Sequence, residues 1–467
     1  MSMSPANTAR LRRGAAVAGS LAVLTALVLA TLTPWPEVER QDIALSAEPE
    51  ASASLLACAG PVLALGRDAA AATPTAAAPL AVVGATVAGR GAPEEIALRP
   101  ADVVDGPAPT AFSALPEGGQ RTDVAASGAA TVDDPDLRGF AASACTPPLM
   151  ESWLVGGSGL TGAADLVVLA NPGQVASRVT LTVYDVDGPT LPDAGEDILV
   201  PAGTQRVVPL AALALGAQAP VVLVSATQAP VQATLQTSIT RTLVPGGLDQ
   251  TAATAAPSTR QVIPTLPVAA DPELIGAGAR LRLLAPSDDA EVTVAVSRVD
   301  GAAPVSAPTE LTAAAGVPVE VDLGGLAVGT YRIDVFATAP VVTGAWAATG
   351  IGAGEDFTWS AAAEPVTVPS LVAIAAGPEP TLGLANDGPD DVTVLVSKDA
   401  GSGEPSEVVV PAGRGAFVAV APGDVVLLDP SGGAVRAGVA YRGAGAMASY
   451  PVVPADAAAA PVTVRPR

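Results

Sequence analysis

The sequence predicts an all-β protein: tandem Ig-like β-sandwich repeats preceded by one N-terminal transmembrane helix and an Ala/Pro-rich stalk. Three observations carry that expectation. Valine-rich segments alternate apolar and polar residues, one such segment recurs three times, and an uncharged run of 19 residues lies near the start. A period of two puts alternate side chains on one face of a sheet, and β-branched residues suit the pleat.

The N-terminus comes first. Arg10, Arg12 and Arg13 precede the uncharged run at 14–32, and no acidic residue occurs before Glu37. At about 1.5 Å per helical residue the run spans roughly 28 Å, close to the ~30 Å hydrocarbon core. The positive-inside rule makes residues 1–13 a cytoplasmic basic tail and 14–33 a single span, with the bulk of the chain extracytoplasmic at the cell membrane. Trp35 sits at the interfacial position, and Pro34 and Pro36 stop the helix. A cleaved signal peptide is the competing reading, but its apolar region is usually about 7–15 residues with a small-x-small site directly after it. Here Ala44-Leu45-Ser46 lies well downstream. Leu55-Leu56-Ala57-Cys58 resembles a lipoprotein acceptor but is cut off from the span by Glu48 and Glu50.

Composition narrows the function classes. The chain of 467 residues carries 23 basic and 46 acidic side chains, a net charge of −23, and Lys398 is its sole lysine. Such a surface repels phosphate backbones, which argues against nucleic acid and fits a solubilising coat on an Ala/Val-rich protein. There is no histidine, the commonest general base and transition-metal ligand. We therefore expect no enzyme, no cofactor and no small-molecule substrate.

Residues 34–54 read as the stalk and 55–150 as a small β region closed by a disulfide. The two cysteines, Cys58 and Cys145, both fall on the exported side. An even count in an oxidising compartment reads as one bridge, two unrelated thiols being the alternative.

The repeats follow. Val179-Thr-Leu-Thr-Val-Tyr-Asp-Val-Asp-Gly188 aligns without gaps on Val292-Thr-Val-Ala-Val-Ser-Arg-Val-Asp-Gly301 and on Val392-Thr-Val-Leu-Val-Ser-Lys-Asp-Ala-Gly401. Each copy is followed by a strand breaking at a glycine: Val200-Pro-Ala-Gly203, Ala313-Ala-Ala-Gly316, Val410-Pro-Ala-Gly413. Sheets buried on one face stack in pairs, which gives sandwiches at 151–249, 260–360 and 366–454 and a loose tail at 455–467. The Cys–Trp–Cys pattern of true immunoglobulin domains is missing, so "Ig-like" describes architecture only. Residues 250–258 and 361–365 read as linkers.

Chemical motifs are few. Gly443-Ala-Gly445-Ala-Met-Ala448 matches a permissive dinucleotide fingerprint, but the following Ser449-Tyr-Pro-Val-Val-Pro454 cannot form the helix it needs. Ser158 in Gly156-Gly-Ser-Gly-Leu160 lacks the last glycine of a nucleophile elbow. Acidic clusters at Asp185, Asp187, Asp193, Glu196 and Asp197, at Asp288, Asp289 and Glu291, and at Asp387, Asp390 and Asp391 suit solvated turns. Ca²⁺ ligation and a glycosidase carboxylate pair are the sharper alternatives. With four Trp, four Tyr and five Phe, no sugar-stacking platform is evident, and Trp153, Trp346 and Trp359 read as core or domain-edge anchors.

Glu151-Ser-Trp-Leu-Val-Gly-Gly157, Leu166-Val-Val-Leu-Ala-Asn-Pro172, Leu181-Thr-Val-Tyr184 and Pro245-Gly-Gly-Leu-Asp249 together resemble an actinobacterial family of membrane-anchored exported proteins of unknown function. Cys58-Ala-Gly-Pro61 and Cys145 fit the same family. The resemblance covers most of the chain, implies cell-envelope work and transfers no catalytic residue. The expectation is a non-catalytic, single-span envelope protein that engages other envelope proteins or a wall polymer. An accessory role in envelope glycan hydrolysis or transfer and a Ca-stabilised adhesin are the alternatives.

Overall fold

The computed structural model describes residues 51–65 and 73–455, except 242, 275–277, 302 and 351, together with 21, 22, 24, 25, 45–47 and 462–464. The expected span at 14–33 lies outside the described residues apart from four helical positions. Among the described residues no helix is long and apolar enough to cross a membrane. Residues 1–48 and 461–467 form a unit of their own, in which Leu45–Ala47 pairs antiparallel with Val462–Val464. Segments read as stalk and loose tail thus each supply one strand of a ladder.

Residues 49–460 form one body that is mostly β and antiparallel. A single strand order occurs three times in it. In the first copy one sheet runs Glu151–Val155, Val221–Thr227, Ser177–Asp185, Ile198–Val200. The facing sheet runs Val244–Ala252, Gln232–Arg241, Leu166–Asn171, Thr204–Pro209. Both contribute to one core, with Leu154, Leu181 and Val224 from the first sheet meeting Val167, Leu169 and Leu235 from the second.

The third copy repeats that order with Ser370–Ala373, Val425–Ser431, Val392–Ser397 and Ser406–Val410 facing Ala446–Pro451, Arg436–Gly443, Thr381–Ala385 and Gly415–Val418. The second differs at one point. Its sixth and seventh strands are fused into Gly329–Ala348, 20 residues long. The first part of this strand pairs with Ser258–Val268 and Ala290–Arg298, and the last part with Gly278–Leu284 and Phe357–Ala361.

The valines chosen from the alternation are buried in every copy: Val179, Leu181 and Val183, Val292, Val294 and Val296, and Val392, Val394 and Val396. The register of the third copy nevertheless departs from the gapless alignment. Ser177 pairs with Val200, Ala290 with Ala313 and Val392 with Val410. Val394, not Val392, therefore stands where Val179 and Val292 stand. A two-residue slip keeps every side chain on its face, so alternation alone cannot detect it.

The same register explains several polar residues. Buried Asn171 donates its amide to the carbonyls of Val175 (2.8 Å) and Val200 (3.0 Å) and accepts the Gly173 N–H. Asn386 makes the matching set with Asp390, Val410 and Gly388. Each asparagine pins the corner where the chain passes from one sheet to the other, and Ala285 occupies that corner in the second copy. Asp289 and Asp391, one residue before the paired Ala290 and Val392, accept the N–H of Ala315 and Ala412, both at 2.8 Å. These carboxylates cap the turn that ends at Gly316 and Gly413, whose φ of 75° and 67° favours glycine.

The region before the repeats contains a three-stranded sheet of Ser54–Ala57, Thr110–Ala114 and Glu94–Ala97. A second is built from Ala81–Thr86, Val124–Asp133 and Arg138–Ala144, and Val62–Leu65 pairs with Pro74–Ala78. Cys58 and Cys145 are disulfide-bonded across 87 residues and buried with Leu56, Phe112 and Val124. Buried glutamines dock this region on the first copy. Gln236 both donates to and accepts from the backbone of Leu63 (2.7 and 2.8 Å), while Gln205 and Gln250 donate to the carbonyls of Ala59 and Gly60.

The four parts meet at one carboxylate. Asp356, fully buried, accepts the backbone N–H of Phe140 (3.0 Å), Leu248 (3.1 Å) and Met447 (3.1 Å), one from each of the other three parts. A Cβ on Gly139 or Gly247 would lie 2.7 Å from its Oδ1, so glycine at both positions lets the backbone reach it. Residues 250–258 and 361–365, read from sequence as linkers, lie largely within this packed centre: Gln250, Thr251, Ala252, Ala362 and Ala363 are buried. The reason is compositional. Small and amide side chains fit a close interface as well as they fit a loop.

Candidate functional site

A polar concavity of about 520 Å³ opens between the first and second sheet pairs. The loop after Glu151–Val155 and the end of Gln232–Arg241 supply one wall. Gly278–Leu284, Val319–Asp322 and the neighbouring strands Gly329–Ala348 and Phe357–Ala361 supply the other.

Its floor is aromatic. Trp346 and Trp359 are direct cross-strand partners, and Phe357 packs at 6.5 Å from Trp346. Trp359 is buried, whereas Trp346 keeps a partly exposed face toward the opening. Arg282 lies over the Trp359 ring at 4.7 Å and Arg280 over Trp346 at 5.7 Å, both within cation–π range.

Arg282 is a structural clamp. Its guanidinium donates to the carbonyls of Gly157 (2.9 Å) and Pro220 (2.8 Å) in the first pair and to Glu320 (2.8 Å) in its own. Burial pulls its pKa down, with Glu320 opposing. Opposite it, Asp165 accepts the N–H of Ser158 (2.7 Å) and Ser238 (2.9 Å), and burial pushes its carboxyl up to about 7 against those two bonds. Both carboxylate oxygens are occupied by backbone donors, so Asp165 shapes the wall. The Ser158 hydroxyl faces the Ala217 carbonyl and the Leu160 N–H. Arg241 and Thr237 each bury a side-chain atom in the cleft wall, Nη1 and Oγ1, that has no hydrogen-bond partner among the described residues.

The residues singled out from sequence distribute differently. Asp187, Asp193 and Glu196 are exposed in turns, and Asp197 pairs with Arg178 at 2.5 Å. Among the described residues no group of three His, Cys, Asp or Glu is placed to hold a metal ion. Gly443 and Gly445 lie at a hairpin between Arg436–Gly443 and Ala446–Pro451. Trp153 stacks near Tyr184 at 5.6 Å and donates to Glu151. The low aromatic count concealed the concentration of two tryptophans and a phenylalanine in one cleft. Arg241, Arg280, Arg282 and Asp165 carried no sequence pattern, because their strands meet only after the two sheet pairs dock.

The sequence profile of a family of unknown function, DUF5719, matches residues 101–421. No curated protein matches the chain.

Proposed function

Starting from the chain's membership of the family of unknown function DUF5719, we propose that it is a non-catalytic, membrane-anchored envelope protein that binds through its extracytoplasmic body. The three copies of one strand order are read as tandem β-sandwiches of Ig-like architecture, joined into one platform. The anchor reading rests on the uncharged run at 14–32 behind three arginines. A bonded Cys58–Cys145 pair suits an oxidising compartment.

The observation that carries the binding role is the cleft. It is concave, aromatic and arginine-lined, and its one strongly perturbed carboxylate, Asp165, is committed to two backbone N–H groups. That arrangement presents surface and charge without a poised nucleophile and base. Cell fractionation combined with thiol labelling of intact cells tests the reading. The protein is expected in the membrane fraction with Cys58 and Cys145 unreactive until reduced. Recovery in the cytosol with both thiols free removes it.

A further inference from the structure

The chain has 46 acidic and 23 basic residues, and nine of the fifteen described arginines pair with a carboxylate. Arg90, Arg178, Arg206, Arg260, Arg282 and Arg332 do so at 2.5–3.2 Å. Arg241 and Arg280, both in the cleft, form no ion pair among the described residues, although Asp322 is the cross-strand neighbour of Arg280. Arg280 is exposed and held only over Trp346, and Arg241 buries its Nη1 unpaired. The cleft thus holds two guanidinium groups outside any ion pair, one of them over a partly exposed indole.

We infer that the cleft binds an anionic saccharide: a sugar ring carrying a carboxylate or a phosphate. This rests on the binding role proposed above and names its ligand class. The apolar C–H face of a pyranose stacks on the open face of Trp346, as apolar faces do on an indole. Its acidic group takes the exposed fork of Arg280, which suits the planar oxygens of carboxylate or phosphate, and the positive charge of Arg241 in the same lining favours it. Its hydroxyls, which both donate and accept, meet the mixed polar rim of Gln218, Ser158 and Asp322. A volume of about 520 Å³ accommodates a short oligosaccharide segment and leaves the cleft open at its mouth.

The test uses the full chain in detergent, titrated calorimetrically and by tryptophan fluorescence. The probes are a glucuronate-containing disaccharide, glucose 1-phosphate, the neutral disaccharide cellobiose, and indole-3-acetate. One acidic sugar is expected to bind at least tenfold more tightly than cellobiose, with affinity falling as salt rises. The two acidic arms separate carboxylate from phosphate. Arg280→Gln should weaken that binding at least tenfold with an unchanged melting temperature, Arg280→Lys should restore part of it, and Arg241→Gln and Trp346→Ala should weaken it in protein that still unfolds cooperatively. Equal binding of acidic and neutral sugars, no sugar binding, or a preference for indole-3-acetate overturns the assignment. Retention of Arg280→Gln protein on isolated cell walls at wild-type level also overturns it while leaving the envelope role standing. A cytosolic protein that still selects acidic sugars keeps the cleft and removes the envelope role.

Discussion

The carboxylate of Asp356 accepts the backbone N–H of Phe140 at 3.0 Å, across 216 residues of chain. The same side chain takes Leu248 and Met447, so a single aspartate closes the centre of the body on three other parts. Backbone donors buried in an interface must be satisfied, and here one acceptor serves three of them.

Removing that acceptor should be costly. Each buried N–H left unpaired costs about 1–3 kcal/mol, so Asp356→Ala should lose about 3 kcal/mol or more in urea unfolding. Asp356→Asn, which keeps one oxygen and turns an NH₂ toward a donor, should also destabilise. A midpoint for Asp356→Ala indistinguishable from wild type would dismiss the junction as the centre of cohesion.

Stability should fall as pH rises from about 4 to about 7. Burial pushes Asp165 and Asp249 up to about 7 and Asp123 up to about 6. Over that interval the folded state holds protons that the unfolded state has released, so the slope of unfolding free energy with pH is negative. The contribution is complete below the unfolded carboxylate range and gone above the folded values. Urea midpoints at pH 5, 6 and 7.5 measure it, and Asp249→Asn should flatten the slope. A steady rise in midpoint across those three values contradicts it.

Reducing the Cys58–Cys145 bond should lower the melting temperature of the body. Chain-entropy reasoning gives about 4–5 kcal/mol for a loop of this length, and the bond lies inside the core with Leu56 and Phe112. Scanning calorimetry with and without reductant, alongside Cys58→Ser, reads the loss. Equal transitions in all three samples would show the bridge to be dispensable.

Asn386→Ala should cost about 2–4 kcal/mol, because it strands the buried Val410 carbonyl, the half-buried bond to Asp390 and the Gly388 N–H. Asn171→Ala should act alike in the first copy. Denaturant unfolding of both variants checks the pair, and a neutral result at either corner would break the equivalence drawn between the copies.

Alternation made the repeats legible: Val179, Val292 and Val394 fill equivalent places, and the Gly203, Gly316 and Gly413 breaks fall at equivalent turns. It misjudged the third register by two residues because parity survives an even shift. Asp165 and Asp356 went unnoticed, since lone aspartates in Ala-Asp-Leu and Glu-Asp-Phe look like any polar position, and Asp249 was quoted only as the end of a motif, without a role. Asp165 takes Ser238 from 73 residues away and Asp356 takes Phe140 from 216, separations to which local pattern is blind. The cleft was hidden for the same reason, and the tryptophan count said nothing about where the tryptophans gather.

The unbroken strand Gly329–Ala348 carries Trp346 near one end and Arg332 near the other. Arg332, paired with Asp334, reaches the carbonyl of Asn386 at the corner of the third copy. With no turn between them, the cleft floor of the second copy and the corner of the third are joined through one covalently continuous strand, so the two sites share a backbone as well as a contact.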